Sequence, residues 1–469
     1  MIDNMATIRT ARVLLQSKDS VKWRPKDATV SERNLDAVEA FHLANGFYNV
    51  RKGRRRLDIT VAVKLRVDSG LNIDIKQARA AWIALRQRHP AIASTIRGSK
   101  RVHQKLGLGH INVWLNQTFV TVESHTEVTA ELLDSLPASE TAAMYFLSDS
   151  NTFALRVPHH LMDTLGAVMV LNDFLEELSE MIMGKSNSDD SLCTEELDDL
   201  ACSLKEAASL PSASVSQLGR FWNVRRHWAR NYPSVGIMPD QESPASGLAS
   251  WRDLEYSPLL TRDFVTKAGK HKMTVAHVVH AGVAFASKEY GPFTLTRNYN
   301  TVIVLDMRRP KEGSSSKNAI SPQHAIWPVT IDVTTFWRTA EQLKKAYLDA
   351  ESDPDLPALV EPAFAEVFQD PPSCPTFYSA PIVGSFGKID DYLGSSYGGF
   401  TVEDFHLSSE CSGEEIVVAV WSYQGKLKIR LMYNEGYHST KSMERYLSTL
   451  EMVFRDGVGV WRCREYCIE

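Results

Sequence analysis

The chain has 469 residues, 43% hydrophobic and 23% charged, enough to bury a large core without disulfide or metal staples and to form about two to four domains. A formal net charge of −5, from 52 basic and 57 acidic residues, leaves no general attraction to nucleic acid or to an anionic membrane. Six scattered cysteines without a CxxC pair, a beginning interrupted by Arg9 and Arg12, and no apolar run near ~20 residues predict a cytoplasmic protein without signal peptide or spanning helix.

One basic cluster stands out, Arg51-Lys52-Gly53-Arg54-Arg55-Arg56. It reads as a solvated turn before a strand, with a landing patch for an acidic carrier domain or a phosphorylated cofactor as the functional alternative. Residues 57–67 alternate and are rich in β-branched side chains, which predicts a strand. Asp74 to Arg88 carries Ile75, Ala78, Trp82 and Leu85 at spacings of three and four, an amphipathic helix that Pro90 ends. Ala91 to Ile96 begins another strand, Gly107 to Gly109 is a turn, and His110 to Leu115 reads as a strand. Phe153 to Val157 is a short strand ending at Pro158, and Leu165 to Met183 is apolar at helical spacing until Gly184 stops it. The loop between them holds His159, His160 and Asp163.

The polar, serine-rich and then acidic stretch after Gly184 places a domain connection near 185–215. The expected division is an N-terminal subdomain over 1–190, a linker over 191–215 and a C-terminal subdomain over 216–469. In the second half, 221–230 is basic and contains tryptophan, 273–287 is a buried helix, and 299–306 is β-rich. Residues 337–350 are amphipathic and 353–375 rich in proline. Glu415–Ser422 and Lys426–Tyr433 read as a hairpin through Gln424-Gly425, before a closing helix over 440–454. Strands and helices alternate in both halves, so the predicted class is α/β, in the mixed α+β sense.

His159 and Asp163 form an HxxxD pair, which is weak by itself among 14 histidines and 57 acidic residues; His406 and Glu410 make a similar spacing. Its setting is more telling: adjacent histidines on a loop between a short apolar strand and a long apolar helix. A histidine held there can remove a proton from a hydroxyl, amine or thiol. An aspartate four residues on either orients it or turns away to lock the loop. No G-x-S-x-G elbow is present, which disfavours a serine hydrolase. His277 and His280 lie on an apolar helical stretch and read as packed or capped, so no metal is expected. Trp222 and Trp228 among Arg220, Arg225, Arg226 and Arg230 read as a basic amphipathic helix covering the linker, with nucleotide stacking as the alternative.

The strand before Pro158-His159-His160-Leu161-Met162-Asp163, and the helix after it, resemble the HxxxD acyltransferase superfamily. That superfamily includes BAHD acyltransferases, condensation domains of nonribosomal peptide synthetases and fungal secondary-metabolite O-acetyltransferases. Four more segments agree in order: Trp82 to Ile92 with its Arg88-His89-Pro90 ending, Leu305-Asp306-Met307-Arg308-Arg309-Pro310, Ser385 to Leu393, and Leu427 to Asn434 with the helix behind it. The likeness spans roughly residues 57–455 and is nearest to the fungal trichothecene 15-O-acetyltransferase type. Two departures separate the chain from the plant enzymes: Thr164 follows Asp163 where the pattern has glycine, with Gly166 two places on, and the Asp-Phe-Gly-Trp-Gly motif is absent.

The resemblance implies two chloramphenicol-acetyltransferase-like subdomains with a tunnel at their interface. It implies His159 as the base that deprotonates an acceptor alcohol, His160 as support of the loop, and Asp163 as a structural member of the site paired to Arg308. Met162, Gly166, Ser385 and Gly387 would line the tunnel. The acyl donor would be a co-substrate, acetyl-CoA or another acyl-CoA, with no bound cofactor. The expected partners are a small-molecule alcohol and an acyl thioester, or a carrier protein in a condensation-like alternative. The chain is expected to be a monomer. A fold repurposed as a cyclase or a binding protein is the third reading.

Overall fold

The computed structural model describes residues 21–51, 58–105, 107–123, 127–136, 140–185, 200–240, 248–291, 296–308, 318–366, 380–411 and 413–460, with side chains at 46–51, 108–110 and 134 outside that description. The basic cluster lies outside it apart from the backbone of Arg51. The chain forms two compact units, and the division is not a single cut. Residues 1–212 are joined by 306–325 and 390–410 in the first, while 213–305, 326–389 and 411–469 form the second.

The first unit is built on a six-stranded sheet in the order Ser396–Tyr397, Phe400–Ser409, Asp58–Val67, Thr152–Pro158, Ala143–Leu147, Phe119–Val122. Only the last pair is parallel. Phe400–Ser409 comes from far along the chain and pairs with Asp58–Val67 from Ser409↔Ile59 to Phe400↔Val67. Every residue of Thr152–Pro158 is buried, so the strand reads as a continuous apolar run broken by Arg156. That guanidinium is accommodated because Asp58 accepts from Nε at 3.1 Å, the Leu133 carbonyl accepts at 2.7 Å, and Glu410 accepts from Nη2.

The helix Thr164–Ile182 packs on this sheet and on the helix Ile75–Arg88. Trp82 meets Phe174 edge to face between them, and the pair is pinned where His89 Nε2 meets Asp173 at 2.6 Å. Asp74 and Gln77 form a capping box at the start of Ile75–Arg88. A small antiparallel sheet, in the order Arg24–Pro25, Val30–Asn34, Lys100–Gln104, Thr95–Arg97, completes the unit with the helix Ala37–Arg51.

Two expectations fail here for physical reasons. The predicted strand His110–Leu115 is part of a helix, Leu108–Thr118. The alternation of polar and apolar residues over 110–114 mimics a strand, yet Ile111, Trp114, Leu115 and Thr118 are buried while Val113 is 54% exposed, which is the helical period. Trp114 stacks on Trp82, whose indole N–H donates to Thr118 Oγ1 at 3.0 Å. The strand expected from Ala91 is first a 3-10 turn, Pro90–Ala93, set by proline's fixed φ at its first position; only Thr95–Arg97 is extended.

The second unit holds a six-stranded sheet in the order His324–Asp332, Asn298–Asp306, Ile382–Lys388, Val417–Tyr423, Lys426–Asn434, Ala249–Tyr256. Ile382–Lys388 pairs parallel on both sides. The expected hairpin closes through Gln424 and Gly425, at φ +47° and +74°, the left-handed pair that a two-residue turn requires. The helices Pro258–Lys270, Val275–Tyr290, Phe336–Glu351 and Thr440–Val458 pack in this unit. The proline-rich stretch contains a further helix, Leu356–Glu366, with Pro362 inside it. His277 belongs to the capping box of Val275–Tyr290 with Thr274, and His280 is buried with Nδ1 3.1 Å from the Tyr347 hydroxyl, one capped and one packed histidine. The basic tryptophan segment is the helix Val215–Arg230, where Trp228 is buried and Arg220 pairs with Asp353 at 2.6 Å. Among the described residues no helix is long and apolar enough to cross a membrane.

Candidate active site

The loop that carries His159 leaves the buried strand Thr152–Pro158 and enters the helix Thr164–Ile182, so both ends are fixed by packing. Asp163 is the N-cap of that helix: its Oδ1 accepts the Gly166 N–H at 2.8 Å. The same oxygen accepts Arg308 Nη2 at 2.7 Å, while Oδ2 accepts the Gln323 N–H at 2.6 Å and faces His324 Nδ1 at 3.8 Å. Burial alone would raise this carboxyl, but the Arg308 guanidinium, followed by the nearby His324 ring, holds it well below the usual carboxylate range. Burial likewise works against the Arg308 charge, and Asp163 outweighs it. Arg308 is steadied by Asp306, whose Oδ1 accepts from Nη1 at 3.0 Å.

Both carboxylate oxygens of Asp163 are thus engaged away from His159. These contacts tie the start of the helix to Arg308 and Gln323. A second brace comes from Arg101, wholly buried, which donates to Glu39 at 3.0 Å and reaches the Leu161 carbonyl at 3.4 Å.

His159 itself stacks face to face on His42, ring centroids 3.8 Å apart and planes within 11°. Its Nδ1 is the enclosed ring nitrogen, without a hydrogen-bond partner of good geometry. Burial first, then the nearby His324, pulls the ring down to about 4, against a smaller opposing effect of its own backbone, Asp163 and the Met162 backbone. The ring is therefore neutral at physiological pH. His42 is pushed well down too, by burial and then by the surrounding imidazoles.

His160 is buried on the same loop. Met162 has no accessible surface, and Gly166 closes so tightly on the segment after Arg308 that an added Cβ would lie 2.1 Å from the Ala319 carbonyl oxygen. Both residues are enclosed in protein. In the second unit, Ser385 and Gly387 are exposed and flank a bulge in the pairing of Ile382–Lys388 with Val417–Tyr423, Gly387 at φ +67°. Three residues of the site escaped sequence reasoning: His42, Gln323 and His324. His42 sits in a helix without chemical context, and His324 precedes an ordinary apolar strand. Among the described residues no group of three His, Cys, Asp or Glu side chains is arranged to hold a metal ion.

No family model matches the chain. It is 20% identical to the O-acetyltransferase pigM of Monascus ruber, over 93% of this chain and 87% of that one. It is 23% identical to the acetyltransferase pigO of the same fungus, over 92% and 96%. Its fold superposes on the TRI3 trichothecene 15-O-acetyltransferase of Fusarium sporotrichioides with a TM-score of 0.76 at 13% identity, covering 92% of this chain and 97% of that one. A condensation domain of the calcium-dependent antibiotic synthetase aligns at a TM-score of 0.61 and 14% identity, covering 90% and 97%.

The fold is the one these acetyltransferases and condensation domains share, and the resemblance to the HxxxD acyltransferase superfamily is borne out. So is the expected class of enzyme: the full-length relatives are named acetyltransferases and the fold is that of a solved one.

Proposed function

We propose that this chain is an O-acyltransferase that moves an acyl group, in the simplest case acetyl, from a coenzyme A thioester to an alcohol of a secondary metabolite, with His159 as general base. The observation that carries this reading is the state of His159: neutral, enclosed at Nδ1, and held on a loop braced by Asp163 and Arg308. The fungal acetyltransferase relatives support the reaction class and the choice of an acyl donor.

In the proposed step, Nε2 takes the hydroxyl proton as the acceptor oxygen attacks the thioester carbonyl. The C–O bond forms and the C–S bond breaks. The proton passes from the imidazolium to the departing sulfur, and His159 returns neutral. Asp163 takes no proton in this scheme. We place the reaction in the cytoplasm, on the low cysteine use, with the enzyme acting as a monomer.

The test is incubation of the purified chain with radiolabelled acetyl-CoA and a panel of terpenoid and polyketide alcohols. A labelled ester is expected with the wild type and none with His159→Ala. Labelling that requires a loaded carrier protein would replace this reading with a condensation-like one.

A further inference from the structure

Three imidazoles from three distant parts of the chain meet in the first unit, and acyl transfer as described above uses only one of them. His42 lies in the helix Ala37–Arg51, His159 on the loop after Thr152–Pro158, and His324 at the start of His324–Asp332. His42 Nε2 and His324 Nε2 are 3.2 Å apart, a hydrogen bond. His324 Nδ1 faces Asp163 Oδ2 at 3.8 Å. The other face of the arrangement is the stack of His42 on His159. A continuous path therefore runs from the anchored carboxylate through two rings to the ring of the base.

The polarity of the path follows from the acceptor at its end. A carboxylate held well below its usual range accepts only, so the His324 nitrogen facing it carries hydrogen. In the tautomer that puts hydrogen on Nδ1, His324 Nε2 is the acceptor and His42 Nε2 donates to it. That bond fixes the plane of His42, and the plane of His42 fixes that of His159.

We propose that His42 and His324 are positioning residues for this site: His324 orients His42 against Asp163, and His42 forms the flat shelf that holds the His159 ring and keeps water from its enclosed face. This rests on His159 being the base of the proposed reaction. It assigns a purpose to one buried and one part-buried histidine that the HxxxD loop does not include, and it makes Asp163 act on His159 indirectly. The groups that face His159 are His42 from the helix, His324 from the strand, and Asp163 on its own loop, the last paired to Arg308, while His160 acts on His42.

The test combines side-chain nitrogen NMR of the His159 ring, which needs no substrate, with steady-state kinetics for His42→Ala, His42→Phe and His324→Ala. In His42→Ala, loss of the shelf admits water and should move the His159 titration up toward the ordinary 6.5. It should also lower kcat roughly 10- to 100-fold, through misplacement of the base, with KM nearly unchanged. His42→Phe restores a flat ring and should recover most of kcat. His324→Ala should change both readouts in the same direction as His42→Ala, to a smaller extent. An unchanged His159 titration and kcat in folded His42→Ala overturns the proposal, and so does a His42→Phe no better than His42→Ala. Should His42→Ala fail to fold, an unmoved His159 titration in His324→Ala overturns it. A wild type inactive on every alcohol, whose His159 titration still moves in His42→Ala, would sink the acyl-transfer reading and leave the shelf standing.

Discussion

His159 carries a ring closed in by neighbours and kept neutral by that burial. His159→Ala should lower kcat by about 10²–10⁴-fold, the usual worth of a positioned general base, with thermal unfolding close to wild type. A folded variant with wild-type turnover would remove it from the mechanism. The pH dependence follows from burial. With the folded ring at about 4, the acid limb of kcat/KM assigned to His159 should fall near pH 4, and the profile should be flat from there to neutrality. A limb near 6.5 would mean the ring titrates as in water. Stability is linked in the same direction. Because the folded ring binds its proton less readily than the unfolded one, the stabilising contribution is present above about 6.5 and is lost as pH falls toward 4, which acid titration of the unfolding free energy measures.

The helix Thr164–Ile182 owes its start to Asp163, and the same carboxylate ties it to Arg308 and Gln323. Asp163→Ala removes the helix cap and leaves the part-buried Arg308 with Asp306 alone, and Arg308→Ala leaves the buried Asp163 carboxylate without its cation; each should cost up to about 3–5 kcal/mol. The double variant should lose less than the sum, since the second change removes the orphaned partner. Additive losses in denaturant unfolding would show that the pair is not coupled. Gly166, one turn into the helix, is a second point of contact. A methyl there meets backbone at Ala319, which cannot swing aside like a side chain. Overpacking costs about 1–3 kcal/mol against roughly 1 kcal/mol gained by replacing glycine in a helix, so Gly166→Ala should lower Tm. An unchanged or raised Tm would mean the 318–325 segment yields freely.

At the scale of the chain, the first unit is completed only by segments that return from beyond residue 300. A fragment of residues 1–212 lacks the strand Phe400–Ser409, so Asp58–Val67 becomes an open edge that exposes Val61, Val63 and Leu65. It also leaves Arg156 without Glu410, and Asp163 without Arg308 and Gln323. The fragment is expected to show neither a cooperative thermal transition nor a dispersed amide spectrum. A folded, monomeric 1–212 would show that the returning segments only decorate a self-sufficient core.

Much of this architecture is legible without a structure where the code is local. The spacing of Ile75, Ala78, Trp82 and Leu85, the apolar run after Leu165, the β-branched alternation of 57–67 and the Gln424-Gly425 turn each depend on neighbours within a few residues. The HxxxD loop is legible for the same reason, as a histidine pair between a strand and a helix. Local pattern misleads at Leu108–Thr118, where a short polar–apolar alternation is compatible with either period and packing against Trp82 selects the helix. The partners of the site belong to tertiary structure alone. Arg308 was implied by resemblance rather than by periodicity, and nothing in the residues around His42, Gln323 or His324 marks them. They reach His159 and Asp163 across separations of more than a hundred residues. Loop closure over such distances costs entropy that only the assembled core repays, so their meeting is a property of the folded unit and of no segment within it.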